Sequence, residues 1–509
     1  MENSRTKNTL LNSVFGIIGY AAVIIVSFIL RKVLASILGS EYLGLNSLYT
    51  NIVSFLSLTE LGLSTAIVYF LYKPISDGDE NKVKAYLEFY KKAYRIIALI
   101  VFIVGCALIF ILPFIAKTTV EIRSVQIYFL LYVVNTSVSY LIAYKKCIIY
   151  ADQKARVISL CHAATKIVFS ALQIAALYLT KSFLWFTVIM IVCTVADNAA
   201  CAIYANKKYP YIKNTSGAEL TKEELNAVKL KIIPIALQSL AVYVVTSTDS
   251  IIISAVISVG VVGVYSNYTL ISTTLKSLYG QVFSAFTNSF GNLSVSGDVE
   301  RSYYIYDKSV YAAFCMTCCM TTCFVSVVNP FIGLCFGTDY VLNYSTIFLV
   351  AASFYFMCMN TPAISAQNAL GLHGKDVAVV LMQGALNLVL SLVLVYVIGL
   401  NGVIIGTIAS TVLCPFFSKD YVIHKYFFKR NPIKIYACQL AYLIVTAASC
   451  AIGFYVSEVL LTVQSWLALI GDGILVLSIS AFIVIATTFW TDKFKFVLSL
   501  AKKLIRRKR

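Results

Sequence analysis

The stretch MENSRTKNTLLNSVFGIIGYAAVIIVSFIL (residues 1–30) carries Arg5 and Lys7 in a short polar lead and then turns apolar. A helix needs about 20 mostly apolar residues to cross a hydrocarbon core roughly 30 Å thick. The run is too long for the apolar part of a cleavable signal peptide, and no A-x-A-like site follows it promptly. It therefore reads as a retained first membrane helix.

The rest of the chain repeats that pattern almost without interruption. Its 509 residues are 60% hydrophobic and only 13% charged, with a mean hydropathy of +0.84. Soluble globular chains run near 45–50% apolar and about 25% charged. Spans are expected near residues 11–38, 46–72, 92–116, 124–144, 156–180, 183–205, 231–258, 261–290, 309–335, 343–370, 377–399, 401–424, 436–459 and 466–490. The fold class is thus all-α: a polytopic membrane protein of about fourteen transmembrane helices.

Charge supplies the topology. Cytoplasmic connections collect Lys and Arg. Here the cations fall in alternate connections: Lys82, Lys84, Lys91 and Arg95; Lys145, Lys146, Lys154 and Arg156; Lys207, Lys208 and Lys213; Lys419, Lys425 and Arg430. The opposite connections keep little beyond Lys117, Arg123 and Lys181. Both termini are then cytoplasmic. The net charge of +18 is explained by these connections and calls for no nucleic acid. The tail FKFVLSLAKKLIRRKR is amphipathic and basic, which suits anionic membrane lipids. The 14 cysteines are scattered singly through apolar segments and read as small packing residues. Cys315, Cys318, Cys319 and Cys323 share a helix face, but with no His nearby they make a weak metal set.

The polar stretch 206–230 divides the chain. Gly44-Leu-Asn-Ser-Leu-Tyr-Thr50 after the first span matches Gly263-Val-Tyr-Ser-Asn-Tyr-Thr269 after the seventh. A match between two odd-numbered spans implies a parallel repeat about the membrane normal. The expected divisions are an N-terminal six-helix lobe (1–210), a cytoplasmic linker (211–230), a C-terminal six-helix lobe (231–430), and two additional helices with the basic tail (431–509).

Charges inside spans are costly, about 2.5–3.5 kcal/mol each near a helix centre even on a lenient scale. Arg31, Lys32, Glu60, Lys166, Asp197, Asp249 and Lys276 stand out. They must face one another or a wet cavity. Lys32 is close enough to the outer end to snorkel. Asp197 could serve helix–helix hydrogen bonding, and Lys166 could simply pair with it. Arg31 and Lys276 lie in corresponding helix pairs of the two halves, where a cationic pair facing a cavity suits a diphosphate or other anion. Ser247, Thr248, Ser250, Asn267, Ser272, Thr273, Thr274, Gln281 and Asn288 add polarity to the same region. Among 34 tyrosines, Tyr265, Tyr268 and Tyr279 could stack on sugar faces.

The segments RKVLASILGSEYLGLNSLYTNI (31–52), SLTELGLSTA (57–66), TDSIIISAVISVGVVGVYSNYTLI (248–271), NPFIGLCFGTDYVL (329–342) and NLVLSLVLVYVIGLNGVIIGTIAST (387–411) resemble the Wzx-like polysaccharide flippases. These belong to the multidrug/oligosaccharidyl-lipid/polysaccharide (MOP) exporter superfamily. The resemblance covers the whole chain. It implies two six-helix lobes around a V-shaped central cavity, with two extra C-terminal helices. It implies a bacterial cytoplasmic-membrane transporter that flips an undecaprenyl-diphosphate-linked oligosaccharide by ion- or potential-coupled alternating access. Arg31, Lys276 and Lys166, with Tyr268 and Asn267, are then the expected substrate contacts, and Glu60 and Asp249 the ion-coupling candidates. A polysaccharide polymerase or assembly complex is a candidate partner, and no cofactor is implied. No GxxxxGK(S/T) motif is present, so nucleotide hydrolysis by this chain is not expected. The competing readings are a multidrug or cation antiporter of the same superfamily and, less compatibly with such short outward loops, a membrane glycosyltransferase or polymerase.

Overall fold

The computed structural model of the chain describes the backbone of residues 2–57, 63–215, 217–295, 297–460 and 465–506. Every regular element among them is helical. The chain forms two compact units, Met1–Gly263 and Val264–Arg509.

The first unit holds α1 (Glu2–Leu56), α2 (Leu63–Asp77), α3 (Glu80–Leu108), α4 (Leu112–Ile115), α5 (Ile122–Ala143), α6 (Lys146–Ala151), α7 (Ala155–Thr180), α8 (Phe183–Lys208), α9 (Lys222–Val256) and the first residues of α10 (Val259–Val295). Helix α1 is broken at Gly39, whose φ of 85° and ψ of −177° leave the helical region. An L side chain adopts that φ only with strain, so glycine is what lets the chain turn there. The break falls just after the expected end of the first span.

The second unit holds the rest of α10, then α11 (Val299–Phe336), α12 (Tyr344–Met359), α13 (Thr361–Leu370), α14 (Val377–Ile398), α15 (Leu400–Thr411), α16 (Phe417–Ile423), α17 (Ile433–Leu460), α18 (Trp466–Thr488) and α19 (Asp492–Arg506). Its core is aromatic, built around Phe290, Tyr306, Tyr311, Phe314, Phe354 and Tyr355. Two π-helical turns, Val412–Phe416 and His424–Phe428, flank α16. Pro415, inside the first, has no N–H to give to the helical ladder, and a wide turn absorbs the mismatch.

Ten helical segments among the described residues are long and apolar enough to cross a membrane. The expected span 46–72 is shared between the end of α1 and α2, and α3, α9 and α10 overlap the expected spans 92–116, 231–258 and 261–290.

The linker expected over 211–230 is helical from Lys222 onward, because Thr221 and Glu224 form a capping box. Glu224 N donates to Thr221 Oγ1 at 3.2 Å, and Thr221 N donates to Glu224 Oε2 at 3.0 Å. Those bonds, with Lys82 Nζ 3.4 Å away, hold the Glu224 carboxyl below its ordinary range. Thr221→Ala should cost about 0.5–2 kcal/mol locally, read as faster amide exchange over residues 222–230. A carboxyl pushed down stabilises the fold above its unfolded pKa, so the cap should weaken as pH falls through the lowered folded value. Unchanged exchange in Thr221→Ala would show that packing alone holds this end.

Candidate functional site

In the first unit, Arg31 is half-buried on α1, before the Gly39 break, with Nη2 3.5 Å from Ser47 Oγ beyond it. The break thus folds the two parts of α1 so that the guanidinium meets a hydroxyl sixteen residues on. Lys32, next in the chain, is exposed, as snorkelling requires. Asp249 is half-buried on α9, beside Ser250, whose Oγ accepts from Asn51 Nδ2 at 2.9 Å. Glu60 lies outside the described residues.

Lys166 does not take Asp197. Lys146 does, with Nζ 2.8 Å from Asp197 Oδ2, and His162 Nδ1 stands 3.6 Å from the same oxygen. The short helix α6 brings Lys146 against α8, a placement that helical spacing within α7 and α8 could not reveal. Asp197 is thereby satisfied by groups at the end of its own bundle, while Lys166 remains half-buried with no ion pair among the described residues.

In the second unit Lys276 is likewise half-buried on α10 and forms no ion pair among the described residues. Tyr268 and Asn267 are different. Both are fully buried. Tyr268 donates to Asn329 Oδ1 at 2.6 Å and accepts from Leu342 N at 2.9 Å, so its hydroxyl ties α10 to the end of α11 and the following turn. Both side chains are packed inside the second unit.

Sequence reading passed over a second set of buried charges. Lys419 Nζ lies 3.0 Å from Asp376 Oδ2 and donates to Gln367 Oε1 at 3.2 Å, with both charged side chains almost wholly buried. Asp420 accepts from Tyr306 and, at 2.8 Å, from Gln439 Nε2. Asp472, inside the apolar run SWLALIGDGILVLSISAF, accepts from Ser457 at 2.8 Å. Asp472 was legible as an intramembrane carboxylate. Lys419 and Asp420 looked like members of a basic connection, since the π-turns that keep them within the bundle leave no simple sequence period.

At one end of the first unit α1 and the turn between α9 and α10 meet backbone to backbone. A Cβ on Gly44 would stand 1.9 Å from Val259 O, and one on Gly263 would stand 2.2 Å from Ser40 O. Around them Thr118 donates to Glu41 at 2.5 Å, Lys117 N donates to Ser254 O at 3.2 Å, and Val259 N donates to Lys117 O at 2.9 Å. The leading glycines of the two matching heptapeptides therefore pack against each other's segments.

The described residues form a multi-pass helical bundle with half-buried cations in its spans, and its fold is that of several solved membrane transporters. The chain aligns with the inward-facing conformation of a multidrug resistance MATE family transporter of the MOP superfamily at 13% identity and a TM-score of 0.67, covering 82% of this chain and 98% of that one. It aligns with the lipid II flippase MurJ in an inward closed conformation at 15% identity and a TM-score of 0.67, covering 94% and 99%. A mutant of the Vibrio cholerae MATE transporter VcmN aligns at 13% identity and a TM-score of 0.56, covering 84% and 98%. No curated protein matches the chain. The family described as "Polysaccharide biosynthesis protein" matches residues 6–287, more than half the length, and the chain belongs to that family.

Proposed function

We propose that the chain flips an undecaprenyl-diphosphate-linked oligosaccharide from the cytoplasmic to the outer leaflet of a bacterial membrane, with both termini cytoplasmic. The carrying observation is that Lys166 and Lys276 sit half-buried within spans and meet no carboxylate among the described residues. A charge at that depth needs compensation. An anionic cargo supplies it, and the diphosphate is the anionic part of such a lipid. Arg31 extends the set with a guanidinium able to bind two phosphate oxygens at once. The family membership fits a surface-polysaccharide pathway. Asp249 is the candidate ion-coupling carboxylate. Helix α19 packs in the second unit through Phe494 and Val497 and an ion pair of Lys493 with Asp307 at 2.6 Å, and its basic sequence suits anionic lipid.

The antiporter reading draws on the same fold, which MATE transporters share. Lys166 and Lys276, which meet no carboxylate among the described residues, disfavour a cationic drug. Deleting the gene separates the two: the flippase reading expects a lipid-linked oligosaccharide to accumulate on the cytoplasmic leaflet. Raised drug sensitivity without accumulation would sink it. Arg31→Ala and Lys276→Ala should each abolish export with insertion intact, and full export by both would remove these residues from the site.

A further inference from the structure

Helix α17 carries a polar stripe on one face: Gln439, Tyr442, Thr446, Ser449, Gly453 and Ser457, spaced three or four residues apart and all buried. Helix α18 answers with Asp472, Ser480 and Thr488, equally buried, and both helices pack on α11. At one end Ser457 donates to Asp472 Oδ2 at 2.8 Å, and Cys323 of α11 reaches Gly473 O at 3.9 Å. Further along, Thr322 donates to Ser449 Oγ at 3.0 Å and lies 3.7 Å from Cys450 Sγ. Then Tyr311 and Thr488 share a 2.7 Å hydrogen bond. At the other end Gln439 and Tyr306 both donate to Asp420.

We infer that this file of hydroxyl and thiol groups is a proton path through the second unit, joining Asp472 to Asp420. From Ser457 to Gln439 the stripe runs about 27 Å at 1.5 Å per residue, close to the roughly 30 Å of a hydrocarbon core. From Gln439 to Ser449 the rungs are three or four residues and about 5 Å apart, a gap that one water bridges with two ordinary hydrogen bonds, whereas Ser449 and Ser457 are eight residues and about 12 Å apart, with Ser326 Oγ of α11 facing Gly453 between them. Gly453 brings α17 against α11 between the rungs, since a Cβ there would meet Thr322 Cγ2 at 2.6 Å.

Thr322, Thr446, Ser480 and Thr488 also donate to carbonyls of their own helices, so a travelling proton requires those hydroxyls to rotate. Here Asp472 Oδ1, Ser326 Oγ, Gln439 Oε1 and His424 Nε2 are buried without a hydrogen-bond partner among the described residues. Such atoms call for water or a proton. Neither carboxylate forms an ion pair among the described residues. Glu458 is the charged group near Asp472, while Lys419 and His424 flank Asp420 on its own helical stretch. No group of three or more His, Cys, Asp or Glu residues gathers among the described residues, and the hydroxyls of the file can each pass on a proton. In the transfer, the carboxyl of Asp472 releases one proton to the first rung. Each hydroxyl accepts one and donates one, and the Asp420 carboxylate takes up one, so nothing else is consumed.

This proposal rests on the transporter reading, as its energy input. The file lies within a single unit, so proton movement is measurable without cargo. The full chain is reconstituted into liposomes holding a pH-sensitive dye, and a potassium diffusion potential is imposed with valinomycin. Wild type should acidify the lumen faster than empty liposomes. Asp472→Asn and Asp420→Asn should each cut the rate at least tenfold, Thr322→Val severalfold, and Asp472→Glu should restore it. Deuterated water should slow wild type about twofold. Should the Asn variants fail to fold, Thr322→Val and Ser449→Ala decide the matter. Wild-type rates in every folded variant, or no uptake above empty liposomes, would overturn the path. Uptake by wild type with no lipid-linked oligosaccharide accumulating after gene deletion would instead leave the path standing and remove the cargo assignment.

Discussion

Gly44→Ala and Gly263→Ala are each expected to abolish export while Gly280→Ala leaves it intact. The added methyl at Gly44 would stand 1.9 Å from Val259 O and 2.7 Å from Val259 C, and at Gly263 it would stand 2.2 Å from Ser40 O and 2.9 Å from Gly44 N. These obstacles are backbone, so no rotamer change relieves them. The segments must separate by more than an ångström, which breaks the neighbouring bonds from Val259 N to Lys117 O and from Lys117 N to Ser254 O. Overpacking costs about 1–3 kcal/mol, and a backbone clash belongs at the upper end. About 3 kcal/mol set against this contact would lower the share of molecules that hold it by roughly a hundredfold. Gly280 has nothing within 4 Å of the same added atom, so its variant controls for helix propensity. Export is scored by complementation, and insertion by membrane yield. Normal export by Gly44→Ala would mean that this contact need not form for the cycle.

Lys419→Met should be the most destabilising single change in the second unit. It removes the cation from a cluster in which Asp376 is 1% exposed and also accepts from Gln367 Nε2 at 3.3 Å. Breaking one side of a buried ion pair strands the other charge and costs about 3–5 kcal/mol. Gln367 cannot replace the cation, because it supplies a dipole and not a charge. The half-life of the detergent-solubilised protein at a fixed raised temperature should fall by more than tenfold. Asp376→Asn combined with Lys419→Met should recover most of the loss, since the charge and its desolvation leave together. If the double variant is as labile as the single one, the pair acts through shape rather than charge.

Helix existence was legible because hydropathy and length are local properties of one segment. Gly39 ended the first span where the apolar run meets a residue tolerant of positive φ. That Lys166 and Lys276 lie inside apolar segments was legible for the same reason, since position follows from counting along one helix. Partner choice was not. Asp197 had a cation of suitable depth in Lys166, yet Lys146 reached it from the short helix α6. Tyr268 gives its hydroxyl to Asn329 and takes a bond from Leu342, partners that spacing along α10 does not name. Neither outcome is written in spacing, because the rotation of a helix about its own axis depends on every neighbour it packs against.

The glycines at 44 and 263 show both sides of this division. By itself the sequence determined that they begin two similar heptapeptides, and it determined membrane class, helical fold and the alternation of basic connections. Each of those follows from the free energy of moving one segment out of water. Only the tertiary structure decided that Gly44 meets Val259 and Gly263 meets Ser40, or that the stripe on α17 faces Asp472. Those contacts are fixed by how closely particular backbones approach, and close approach depends on both helices at once.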